Sequence, residues 1–130
     1  KQWIQQEGYE VEDVGTHSEE STDYPDYAKQ VASRVSSGAA VRGILMCGTG
    51  LGMSYTANRF DNVRAALAWS PEIAKLSRNH NDSNVLVLPA RFVSEDDARA
   101  IAEAWLESSF EAGRHARRVA KIERNWKDEE

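Results

Sequence analysis

Cys47-Gly48-Thr49-Gly50-Leu51-Gly52-Met53-Ser54 sets one thiol just ahead of a run of alternating glycines. Glycines let a backbone approach an anion closely, and successive N–H groups at a helix start form an anion-binding concavity. Three familiar motifs fail against this segment. No Gly-Lys-Ser/Thr follows at P-loop spacing. The dinucleotide fingerprint breaks at its third glycine, and no acidic residue ends a following strand at the distance that motif requires. A phosphatase-type cysteine needs an arginine where this chain has Met53. The thiol itself has two readings. Most free cysteines are inert, small apolar residues. A thiol at a strand end that faces a helix N-terminus has its thiolate favoured by the dipole and nearby amides, which suits a nucleophile or base.

Two further segments carry chemistry. His80 stands in the polar stretch Leu76-Ser77-Arg78-Asn79-His80-Asn81-Asp82-Ser83-Asn84, read as a loop between a helix and a buried strand. Imidazole there suits proton transfer near neutral pH, and the amides around it also suit a side-chain-bonded turn. Gly113-Arg114-His115-Ala116-Arg117-Arg118 puts Arg114 and Arg118 one helical turn apart, where two guanidinium forks can clamp a phosphate. The plainer alternative is a solvated basic face paired with Glu111 and Glu123. Arg91, just after a strand, is an isolated candidate of the same kind. His17, in a polar loop, reads as surface.

Alternating short strands and helices position these groups. Strands are expected at Tyr9–Val14, Gly43–Cys47, Val63–Ala68 and Asn84–Leu88. Pro25 opens a helix with Ala28, Val31, Ala32 and Val35 on one face and Gly38 just past its end. The glycine loop leads into a helix reaching about Phe60. Ser70-Pro71-Glu72 caps a helix bearing Ile73, Ala74 and Leu76. Ser94-Glu95-Asp96-Asp97 starts one carrying Ala98, Ile101, Ala102, Trp105 and Leu106. A charged helix runs from about Gly113 to Trp126, and Thr16–Asp23 is a polar loop. The pattern predicts a single α/β domain over 1–130, a three-layer α/β/α sandwich around a parallel, Rossmann-like sheet. Ligands of such sheets bind at the carboxyl ends of the strands, where Cys47 falls.

Composition narrows the function. The chain has 130 residues, 41% hydrophobic and 28% charged, as an ordinary globular domain does. A net charge of -5 excludes a general nucleic-acid binder but not a small phosphorylated ligand held by a few arginines. No apolar run is long enough to span a membrane. One cysteine excludes an internal disulfide and a cysteine-based zinc cage, and a cytoplasmic, reducing location is the default.

Thr22-Asp23-Tyr24-Pro25, the Cys47–Ser54 loop, Ser77–Asn84 and Gly113–Arg118 resemble, in that order, the type B ribose-5-phosphate isomerases. These are grouped with allose- and galactose-6-phosphate isomerases, and the resemblance spans essentially the whole chain. It implies a homodimeric or tetrameric enzyme that needs no metal or other cofactor and interconverts ribose 5-phosphate and ribulose 5-phosphate. On the resemblance, Cys47 is the base that moves a proton between C1 and C2. Thr49 and the amides of Gly48, Gly50, Leu51 and Gly52 stabilise the enediolate oxygen. His80 opens the furanose ring with help from Asn81, and Arg91, Arg114 and Arg118 hold the phosphate. The site is built across a subunit interface, with His80, Asn81 and Arg91 from the partner. Met53 beside Cys47 matches the branch that uses cysteine rather than glutamate.

One departure stands out. The family's first strand ends in an Asp-His pair that contacts the substrate, and this sequence contains no such strand. It opens part-way through a helix (Trp3, Ile4), so an initial strand and half-helix of roughly twenty residues are expected to precede it. Two rival functions remain: an isomerase of a six-carbon sugar 6-phosphate, and a non-catalytic sugar-phosphate-binding relative. A thiol-redox role is weaker, for want of a second cysteine.

Overall fold

The computed structural model describes residues 2–14 and 23–124. The loop expected over Thr16–Asp23 therefore lies outside the described residues up to position 22, as do His17 and Trp126. Among the described residues three strands form one parallel sheet: β1 (Gly43–Cys47), β2 (Ala65–Leu67) and β3 (Val85–Pro89), in the order β1-β3-β2. Register is set at the amino edge, where Gly43 and Ala65 both align with Val85, and Cys47 aligns with Pro89 at the carboxyl edge.

The helices of the described residues are α1 (Gln2–Gln6), α2 (Tyr24–Ser37), α3 (Leu51–Ala57), α4 (Pro71–Asn81), α5 (Glu95–Glu107) and α6 (Arg114–Ile122). Their ends follow from local chemistry. Gly38 ends α2 at φ 85°, and its N–H donates to the Val35 carbonyl. Ser70 caps α4 by accepting from the Ile73 amide, and Ser94 caps α5 by accepting from Asp97 at 3.0 Å.

β3 is buried along its whole length and its side chains alternate between two cores, because strand residues point to opposite faces in turn. Val85 and Val87 pack with Ala28, Ala32 and Val35 of α2 and Met53 and Ala57 of α3. Leu86 and Leu88 pack with Ala74 of α4 and Ile101, Ala102 and Trp105 of α5, joined by Trp3. The expected α/β/α sandwich is thus present. Trp105 is fully buried, and its indole N–H donates to Ser83 Oγ at 2.8 Å, which also bonds Ser77 Oγ at 2.8 Å.

Three expectations need correction. Tyr9–Val14 forms no strand, since extended chain becomes a strand only with a neighbour to bond, and no described strand lies beside it. Second, Leu76–Asn81 is helical rather than loop: α4 continues through His80 and Asn81 and ends at Asp82. Asp82 takes the left-handed conformation (φ 49°), which a short polar side chain tolerates, and its carboxylate meets Arg78 Nη1 at 2.7 Å. The third correction is one of length: β2 spans Ala65–Leu67 rather than Val63–Ala68, and α3 stops at Ala57, short of Phe60.

Candidate active site

The residues singled out in the sequence fall into two groups at opposite edges of the sheet. At the carboxyl edge, β1 ends at Cys47 and the chain turns through the glycine loop into α3. The turn is tied to the end of β3, because the Ala90 amide donates to the Cys47 carbonyl at 2.8 Å and the Arg91 amide to the Gly48 carbonyl at 3.0 Å. Cys47 is half-buried and packs against the α2/α3 core, so the same residue fills space and presents a thiol at the strand end.

Glycine is required here for approach as much as for flexibility. A Cβ on Gly48 would sit 3.0 Å from Arg91 Nε, so the guanidinium arm lies across this glycine. Gly50 has φ 79°, and a Cβ there would lie 2.6 Å from Leu67 Cδ1. At Gly52 it would meet the Tyr24 ring. Tyr24 thereby closes one side of the loop, a contact that its place in the Thr22–Pro25 motif could have flagged. Thr49 is exposed, and its Oγ1 accepts from the Leu51 amide at 3.2 Å. A hydroxyl that accepts in this way keeps its own O–H free to donate. The first amides of α3 have no partners within the helix, as at any helix start.

At the amino edge, His80 and Asn81 occupy the last turn of α4, just before β3 begins. The Glu111 amide donates to the Asn79 carbonyl at 3.0 Å and brings the start of α6 against this turn. His80 and His115 stack with centroids 4.3 Å apart and planes 13° from parallel. Glu111 Oε1 lies 3.6 Å from His80 Nε2 and 3.9 Å from His115 Nε2. Arg114 and Arg118 are exposed on α6 beside them. The His115 imidazole, 13% exposed, is held below the ordinary histidine range. Desolvation is the main cause, His80, Arg114 and Arg118 add to it, and Glu111 opposes it.

Arg91 therefore stands with its own Cys47 loop, apart from His80, contrary to the expectation that the two act together from a partner. Glu111 and His115 were missed as members of the His80 group. Their i,i+4 spacing was the available signal, since it puts both on one helical face. No helix among the described residues is long and apolar enough to cross a membrane.

The thiol and the glycine-rich helix start lie at the carboxyl edge of a parallel α/β sandwich, the edge at which Rossmann-like sheets bind small ligands. The chain belongs to the ribose/galactose isomerase family, which matches residues 1–122. It is 50% identical over 115 residues to ribose-5-phosphate isomerase B of Escherichia coli K12, covering 88% of this chain and 77% of that protein. Its fold superposes on a ribose 5-phosphate isomerase from Thermotoga maritima with a TM-score of 0.90 and 51% identity, covering 94% of this chain and 84% of the other. It is similar as well to ribose-5-phosphate isomerase B of Mycoplasma genitalium, a structure with bound ribulose-5-phosphate. There the TM-score is 0.93 and the identity 39%, covering 98% and 85% of the two chains.

Proposed function

We propose that this chain is a sugar-phosphate isomerase that interconverts ribose 5-phosphate and ribulose 5-phosphate through an enediolate, with Cys47 as the base. In the open-chain aldose, the Cys47 thiolate takes the C2 proton and the electrons of that bond form the C1–C2 double bond. The C1 carbonyl oxygen becomes the enediolate oxygen. Thr49 O–H and the amides of α3's first turn beyond Leu51, whose own N–H goes to Thr49 Oγ1, donate to it, preorganised by the fold rather than drawn from water. The C2 hydroxyl proton passes to the C1 oxygen, and the C2 oxyanion then forms the C2 carbonyl. The double-bond electrons take the proton from the thiol at C1, which gives the ketose and restores the thiolate. The observation that carries this reading is the thiol at the carboxyl end of β1, opening onto that helix start beside Arg91.

Ring opening needs a second proton-transferring group at the same C1 end of the sugar, and His80 has the chemistry. It cannot serve its own Cys47. From Val85 to Pro89 the sheet alone spans about 13 Å, whereas a general acid or base works at about 3 Å. The active assembly is accordingly at least a homodimer: one copy supplies Cys47, Thr49 and Arg91, and the other supplies His80, Asn81, Arg114 and Arg118. The last two hold the phosphate, the end of the sugar remote from the chemistry. No step requires a cofactor, and a reducing compartment such as the cytoplasm keeps the thiol available.

Conversion of ribose 5-phosphate is measured with EDTA present and, in parallel, after alkylation of the thiol. Turnover that resists EDTA and is abolished by alkylation supports the cysteine mechanism; undiminished turnover after complete alkylation refutes it. The family description spans ribose and galactose isomerases, so a six-carbon sugar 6-phosphate is the second substrate to assay. Absence of turnover on either sugar would favour a binding protein.

A further inference from the structure

We propose that Glu111 is a positioning residue for His80: its carboxylate takes the Nε2–H of that imidazole and leaves Nδ1 as the nitrogen that moves protons during ring opening. The inference rests on the ring-opening role of His80 proposed above. His80 and His115 stack in nearly parallel planes with centroids 4.3 Å apart. Both Nε2 atoms of this pair face one carboxylate oxygen, Glu111 Oε1, at 3.6 and 3.9 Å. Glu111 is more than half exposed, so its carboxylate is free to turn. That rotation alone closes the gap to His80 to about 2.8 Å, and neither ring has to leave the stack.

The backbone fixes this arrangement. His80 lies in the last turn of α4, and the Glu111 amide is bonded to the Asn79 carbonyl at 3.0 Å whatever its side chain does. His115 is packed beneath His80 and held below the ordinary histidine range. Near neutral pH it is therefore an uncharged platform rather than a second cation pressed against His80. Among the described residues Glu111 pairs with these two histidines and with no arginine or lysine, although Arg114 and Arg118 stand on the adjoining helix. Its charge is committed to imidazole, and the two guanidiniums remain for the phosphate.

A neutral imidazole has one N–H and one bare nitrogen. A carboxylate only accepts, so the nitrogen facing it carries the hydrogen and Nδ1 is left bare. In the furanose, Nδ1 takes the C1 hydroxyl proton. The electrons of that O–H bond form the C1 carbonyl as the bond from C1 to the ring oxygen breaks. The electrons of the broken bond stay on the ring oxygen, to which Nδ1 returns the proton. Between the two transfers His80 is a cation, and the carboxylate beside its Nε2 stabilises it.

Turnover of ribose 5-phosphate by the wild type, Glu111→Ala and Glu111→Gln is compared with turnover of 4-deoxyribose 5-phosphate, an aldose that lacks the hydroxyl needed to close a furanose. Glu111→Ala should lower kcat on ribose 5-phosphate about 10–100-fold with little change in KM. On the open-chain sugar its loss should not exceed about twofold. Glu111→Gln keeps an acceptor oxygen and should recover part of the loss. A wild-type rate for Glu111→Ala on ribose 5-phosphate, or equal losses on both sugars, would overturn the proposal. A second measurement needs no turnover: nitrogen-15 spectra of the His80 ring at a pH where it is neutral. The hydrogen should be on Nε2 in the wild type, and the Nε2 resonance should move in Glu111→Ala. A hydrogen on Nδ1, or ring resonances that Glu111→Ala leaves in place, would equally refute the assignment. Should the wild type turn over neither sugar, the proposed function falls, and the spectra alone decide whether Glu111 orients His80.

Discussion

Cys47→Ala and His80→Ala should each be inactive as pure proteins, and mixing them should restore activity. The distance argument sets the size of the recovery. Cys47 aligns with Pro89 at one edge of the sheet, while His80 precedes Val85 at the other. Measured along β3 the edges are about 13 Å apart, and measured along the ten steps of α4 about 15 Å. A two-fold dimer then holds two sites, each combining Cys47 of one copy with His80 of the other. In a mixed dimer one site carries both intact residues and the other carries both substitutions. Random exchange of equal amounts makes about half of the dimers mixed, so about a quarter of wild-type activity returns. The assay is ribose 5-phosphate conversion after dilution from mild denaturant, with exchange verified by native mass spectrometry on differently tagged chains. Verified exchange without recovery would refute the split site and, with it, the dimeric reading of the two clusters.

Other outcomes test the same geometry more locally. Gly50→Ala should cost about 2–5 kcal/mol, since it combines a left-handed residue with overpacking against Leu67; chemical denaturation measures it, and unchanged stability would contradict the loop conformation. Gly48→Ala meets a flexible arginine arm instead, so stability should hold while KM rises as Arg91 is displaced. An unaltered KM would remove Arg91 from substrate binding. Ser83→Ala strands the buried Trp105 N–H and should cost about 1–3 kcal/mol, read as a fall in the thermal midpoint of about 4 °C per kcal/mol. Arg114→Ala should raise KM chiefly and leave kcat nearly intact, as expected for a phosphate grip remote from the reacting carbons.

Much of this protein was legible before folding was considered. Pro25, Gly38, Ser70 and Ser94 marked helix ends because capping and φ preferences act within a few residues of chain. Asn84–Leu88 read as a buried strand because a strand covered on both faces must be apolar throughout, and β3 is buried along its length. Gly43–Cys47 read the same way and forms β1, but at the edge of the described sheet its Met46 is exposed. The glycine loop and its thiol followed from the same local rules. The resemblance of four ordered motifs also pointed to the family to which the chain belongs.

Other features depended on the tertiary arrangement. Tyr9–Val14 alternates as a strand does, yet alternation cannot supply a pairing partner. Polar residues from Ser77 to Asn81 suggested a loop, but Arg78 is drawn inward to bond Asp82 and the Ser83 carbonyl, and the helix continues. Sequence spacing also could not place Arg91 over Gly48, Tyr24 against Gly52, or Glu111 between two histidines. Local chemistry fixes which groups a chain carries and how each segment begins and ends. Which edge of the sheet each group reaches is decided only when the strands align and the helices run back antiparallel to them, and here that separates Cys47 from His80 of its own chain.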